Sequence, residues 1–202
     1  MHLIVVSRDL QQFQHVHPLP TGAPGEFAVD VVFPAAGSYL LYDEFTRANG
    51  QDIVQRDELV VGTASSGGAS LAVDDAPKVR DRVRVALQGA GSVKAGASTR
   101  LTFRLDDAMT GAGIQDLQPY LGAPAHVVIL SEDAQTFAHT HGEQVGSPSG
   151  QMHHGGAATA SGYGPEIAFE YTFPMPGLYK LWGQLQTHDG QVITADFVVR
   201  AQ

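Results

Sequence analysis

The sequence predicts an all-β fold built from two tandem antiparallel β-sandwich modules, the first lacking its leading strands. Three observations predict it. Short runs rich in Val, Ile, Phe and Tyr alternate with turn residues along the chain. No stretch carries a 3.6-residue apolar period with helix caps. One passage is written twice: HLIVVSRDLQQFQHVHP, from His2, returns as HVVILSEDAQTFAHTHG, from His126.

Taken in order, the first copy predicts strands at 2–7, 12–17, 27–33, 38–45 and 52–61. Each is an apolar or alternating run bounded by Gly, Pro, Asp or Ser. TASSGGASLAVDDAPK, residues 63–78, opens with Ser and Gly and reads as a linker. Two strands without counterpart in the first copy follow, within 80–88 and 98–106. The second copy then predicts strands at 126–131, 136–141, 166–173, 178–186 and 191–200.

The copies align at an offset of 124 over His2/His126, Ser7/Ser131, Asp9/Asp133, Phe13/Phe137, His15/His139 and His17/His141. They align at 140 over Phe33-Pro34/Phe173-Pro174, Gly37/Gly177, Tyr39/Tyr179 and Gly50-Gln51/Gly190-Gln191. The 16-residue difference is an insertion in a glycine-rich loop, 142–165. FPAAGSY and FPMPGLY read as strand–turn–strand: proline ends one strand and glycine permits the turn. The predicted organisation is an incomplete sandwich at 1–62, a linker at 63–78 and a complete sandwich at 79–202. A unit of about 60 residues is marginal alone, and its missing strands leave open sheet edges. The first module is therefore expected to lean on the second, on another copy in a homodimer, or on residues beyond this chain.

Hydrophobic residues are 43% of the 202 and charged residues 16%, enough for a packed core. A net charge of −9 with no basic patch argues against nucleic acid or an anionic membrane surface as partner. No apolar run reaches the roughly 20 residues that span a bilayer. With no cysteine there is no disulfide, thiolate site or cysteine nucleophile. Met1 is followed at once by HLIVVS, without a basic n-region or cleavage site. The expectation is a chain that begins inside a strand, either trimmed or starting downstream of its natural start.

The histidines carry the chemistry. His139 and His141 are two apart and share a strand face. If cross-strand partners sum to an odd number, 265 or 267, His126 lies opposite one of them and all three rings meet at the open end of the hairpin. Opposed Cβ atoms there are roughly 4.5–5.5 Å apart, which suits a shared ion. An even register would send His126 to the other face. The same reasoning groups His2, His15 and His17. Three neutral imidazoles suit Cu(II) or Zn(II). The alternative is a polar strand end, duplicated as scaffold and holding no metal. Met152, His153 and His154, in the inserted loop, form an auxiliary thioether–imidazole set for copper, weighed against a plain spacer. Glu143 is a candidate fourth ligand or a partner for His141, although its counterpart, Leu19, can do neither. His188 in QTHDG reads as a turn residue.

Other repeated residues read as structural. Asp9 and Asp133 shape the hairpin turns. Phe13 and Phe137 anchor the hairpins, and Tyr39, Tyr179, Tyr42 and Trp182 pack in cores. No nucleophile elbow, phosphate loop or dinucleotide fingerprint is present, so no enzyme is expected.

The His-spacer-Phe-x-His-x-His arrangement followed by FPAAGSYLLYDEF, and its echo ending in FPMPGLYKLWGQL, resembles bacterial exported immunoglobulin-like modules of the YtkA-like, heavy-metal-binding kind. The likeness covers both copies. It implies immunoglobulin- or cupredoxin-like sandwiches, a periplasmic or extracellular location and a connection with copper. The expectation is a non-enzymatic copper- or zinc-binding protein for metal buffering, delivery or sensing. Its rival is a structural or protein-interaction module.

Overall fold

The computed structural model describes residues 1–63, 67–146 and 162–202. It is all-β and antiparallel, with one short 3₁₀ turn at Ala90–Ser92 as its only helical element among the described residues. The chain divides into two compact units, Met1–Ser70 and Leu71–Gln202. Among the described residues, no helix is long and apolar enough to cross a membrane.

The first unit holds β1 (His2–Ser7), β2 (Phe13–Val16), a small β3 (Leu19–Pro20)/β4 (Phe27–Ala28) hairpin, β5 (Gly37–Thr46) and β6 (Asp52–Val61). Its main sheet runs β2-β1-β5-β6. One face gathers Leu3, Val5 and Tyr39, with Val16, Val29, Val31, Phe33, Leu41 and Val61 packed against them. The strand expected at 27–33 is corrected: only Phe27 and Ala28 join a ladder. Val29, Val31 and Phe33 keep their alternation and cover the sheet, but no neighbouring backbone pairs with them among the described residues.

The second unit adds β7 (Lys78–Arg80), β8 (Val83–Gln88) and β9 (Ser98–Asp107) ahead of β10 (Ala125–Ser131), β11 (Phe137–Gln144), β12 (Glu166–Thr172), β13 (Gly177–Gln186) and β14 (Val192–Ala201). The strand expected at 80–88 is broken at Asp81, whose φ of 53° turns the backbone. The eight strands run β14-β13-β10-β11-β12-β9-β8-β7. The two halves of this sheet face each other around one core, with Phe103, Leu101 and Ile167 on one side and Val127, Ile129, Leu181 and Phe197 on the other. Part of the expected linker belongs here: Asp74 and Val198 exchange two backbone hydrogen bonds, and the Leu71 amide donates to Glu132.

Four strands of each unit pair in the same order and register. Leu3 faces Asp43 as Val127 faces Gly183, and Ile4 faces His15 as Val128 faces His139. Tyr39 and Tyr179 each donate a hydroxyl to the carbonyl four residues upstream, at 2.8 Å.

One correspondence has a measurable consequence. Where β13 has Gly183, closely approached by Phe103, β5 has Asp43. Burial, then the charge of Asp57, holds the Asp43 carboxyl above its ordinary pKa of 3.8. The folded state thus binds this proton more tightly than the unfolded state. The stability linked to it is complete below pH 3.8 and is lost as pH rises through the folded pKa. Asp43→Asn should therefore melt at a higher temperature than the parent at pH 7, and the gap should close below pH 3.8. Equal melting temperatures at pH 7 would refute the assignment.

Candidate metal centre

Each triad sits on a hairpin closed by a tight turn. Asp133 Oδ1 accepts from the Ser131 hydroxyl (2.5 Å) and the Gln135 amide (3.0 Å), while Ala134 takes a left-handed φ of 57°. Asp9 repeats this with Ser7 (2.5 Å) and Gln11 (3.1 Å), and Leu10 has φ of 59°. A side chain accepting from the backbone two residues on is what stabilises such a bend. Both aspartates are turn formers, as their position suggested. They cap the hairpin end remote from the histidines.

The turns set the register, and the register decides the parity. His126 pairs with His141, a sum of 267, and Val128 pairs with His139. In the first unit Ile4 pairs with His15. Both sums are odd, so each leading histidine projects to the same face as the later two.

The rings converge. In the second unit the centroids of His126 and His139 are 5.2 Å apart, those of His126 and His141 4.6 Å, and those of His139 and His141 5.3 Å. In the first unit His2, His15 and His17 lie 5.0, 4.5 and 5.1 Å apart. The nearest nitrogens have the same identity in both: His126 Nδ1 is 2.9 Å from His139 Nε2, and His2 Nδ1 is 2.9 Å from His15 Nε2. His17 Nε2 lies 3.3 Å from His15 Nε2. Bonds of about 2.0 Å to one ion set the nitrogens of adjacent ligands about 2.8 Å apart at a right angle and about 3.3 Å apart at a tetrahedral angle. The His126–His139, His2–His15 and His15–His17 spacings span those values, so these imidazoles fit a borderline divalent metal.

Burial grades across the second triad. His126 is 1% exposed, His139 is half-buried and His141 is exposed. His126 Nε2 donates to the Tyr120 carbonyl at 3.0 Å, and the Tyr120 ring sits edge-on to His126 at 5.5 Å. Burial raises the Tyr120 phenol above its usual range. Sequence reasoning missed this contact, because a backbone carbonyl leaves no residue signature.

Glu143 continues the His139/His141 side of β11, is exposed, and pairs across to Ala168. Met152, His153 and His154 lie outside the described residues. His188 stands in the β13–β14 turn, 3.7 Å from an Asp116 oxygen and remote in sequence from both triads.

A family model described as a domain of unknown function, DUF8832, matches residues 1–61 and 78–202. The chain belongs to the DUF8832 family. The match takes in all six triad histidines and leaves out 62–77, most of the stretch read as a linker. No curated protein matches the chain.

Proposed function

We propose that this DUF8832 member is a non-enzymatic transition-metal-binding protein, copper favoured, that buffers, delivers or senses the metal outside the cytoplasm. The observation that carries the reading is the convergence of the His126/His139/His141 and His2/His15/His17 rings, with nitrogens 2.9 Å apart in the His126–His139 and His2–His15 pairs and 3.3 Å apart in the His15–His17 pair. Imidazole-only donors without thiolate suit Cu(II), and a 2.9 Å separation is close to the right-angled spacing of tetragonal coordination. Zinc shares the donor preference but favours the wider, tetrahedral spacing. The common register of the two units supports reading the chain as a tandem repeat, with one histidine triad in each copy.

Copper titration tests this. Apo protein followed by d–d absorption should saturate near two equivalents of Cu(II), and His139→Ala should remove about one. A chain that takes up no copper in either form leaves the interaction-module reading. That reading finds support in β6, a ten-residue edge strand that leaves Val54, Leu59 and Val60 exposed.

A further inference from the structure

Residues 120–123, YLGA, close a two-residue turn just ahead of β10. Tyr120 and Ala123 exchange both backbone hydrogen bonds, at 2.9 and 3.0 Å. The two central residues have positive φ, 50° at Leu121 and 88° at Gly122, the signature of a type I′ turn. The same Tyr120 carbonyl accepts from His126 Nε2.

A carbonyl oxygen only accepts. The His126 nitrogen facing it must therefore carry the proton, and in the neutral ring the other nitrogen, Nδ1, must carry the lone pair. That lone pair points at His139 Nε2, 2.9 Å away. We infer that the 120–123 turn is a positioning device: it locks His126 in the Nε2–H tautomer and presents Nδ1 to His139 and to an incoming ion. The inference rests on the metal-binding reading for its use, but the tautomer is a property of the ion-free chain. Support of this kind, a backbone acceptor behind a ligating imidazole, characteristically orients the ring and raises its basicity.

Two measurements test it. Histidine-labelled full chain, read by two-bond ¹H–¹⁵N correlation without metal, should show His126 protonated at Nε2. Added Zn(II), which is diamagnetic, should shift Nδ1 to a metal-bound position and leave Nε2 protonated. A proton on Nδ1, or metal at Nε2, overturns the inference. The second measurement uses a His17→Ala background, which removes a ligand of the first triad and leaves His126, His139 and His141 in place. A Cβ at Gly122 would meet nothing within 4 Å, so Gly122→Val acts only through the backbone, where a β-branched residue resists positive φ. It should weaken Cu(II) by about 10–100-fold. Leu121→Asn, which tolerates positive φ, should retain parental affinity. Unchanged affinity in Gly122→Val overturns the positioning role. If the parent takes up no metal, the functional proposal fails separately, and the ion-free tautomer still decides the inference.

Discussion

Replacing Asp196 with alanine is expected to destabilise the second unit by about 3–5 kcal/mol, the usual cost of leaving a buried charge without its partner. The charge is Lys180, 6% exposed, whose ammonium donates to Asp196 Oδ2 at 2.5 Å and lies 5.8 Å from the Trp182 ring centroid. Arg80 donates to the other carboxylate oxygen at 2.7 Å. Burial alone would raise the Asp196 carboxyl. Lys180, Arg80 and Lys78 outweigh it and hold the group below its ordinary 3.8. The linkage sign is therefore opposite to that of Asp43. This stability is present above pH 3.8 and is lost as pH falls through the folded pKa. The first unit indicates a rescue: at the 140-residue offset Lys180 corresponds to Leu40, which is fully buried. Asp196→Ala combined with Lys180→Leu removes the orphaned charge and should recover most of the loss. Urea unfolding of the parent, the single variant and the double variant measures this. A double variant no more stable than Asp196→Ala would show that the loss is not due to the unpaired ammonium.

The fold class was legible because strand alternation and turn residues are local signals; the hairpin parity was not, since the sequence left odd and even registers both open. Ser131, Asp133 and the left-handed Ala134 set the hairpin register, and with it the convergence of His126, His139 and His141. Alternation failed where it says nothing about partners. Val29, Val31 and Phe33 face the core as their spacing suggests, yet their backbone joins no ladder among the described residues. It failed again on β13, where Lys180 and Gln184 sit on the face opposite Tyr179, Leu181 and Leu185 and are buried nonetheless. A lysine between core residues reads as a solvated position. Only its Asp196 partner, supplied by a different strand, makes burial tolerable. The carbonyl behind His126 was illegible for a related reason: it belongs to the peptide backbone.

Gly183→Val should cost about 1–3 kcal/mol or more through overpacking, and should damage the proposed copper site of the second triad while sparing that of the first. A Cβ at Gly183 would stand 2.5 Å from Phe103 Cζ and 2.8 Å from Cε2. Phe103 is fully buried, with Phe169 and Phe197 ring centroids 5.3 and 6.1 Å away, so the ring has nowhere to retreat. Gly183 faces Val127, and its neighbour Gln184 faces His126. A shift of β13 away from Phe103 is therefore passed to the strand that carries the leading imidazole. Chain closure on the other side is equally tight, since a Cβ at Gly142 would lie 2.4 Å from Ile167. The triad thus rests on a sheet whose glycines let the opposite layer approach. The expected result is a lower melting temperature, with copper uptake falling toward one equivalent under conditions where the variant remains folded. Retention of both equivalents at parental affinity would mean that the triad tolerates movement of its supporting strand.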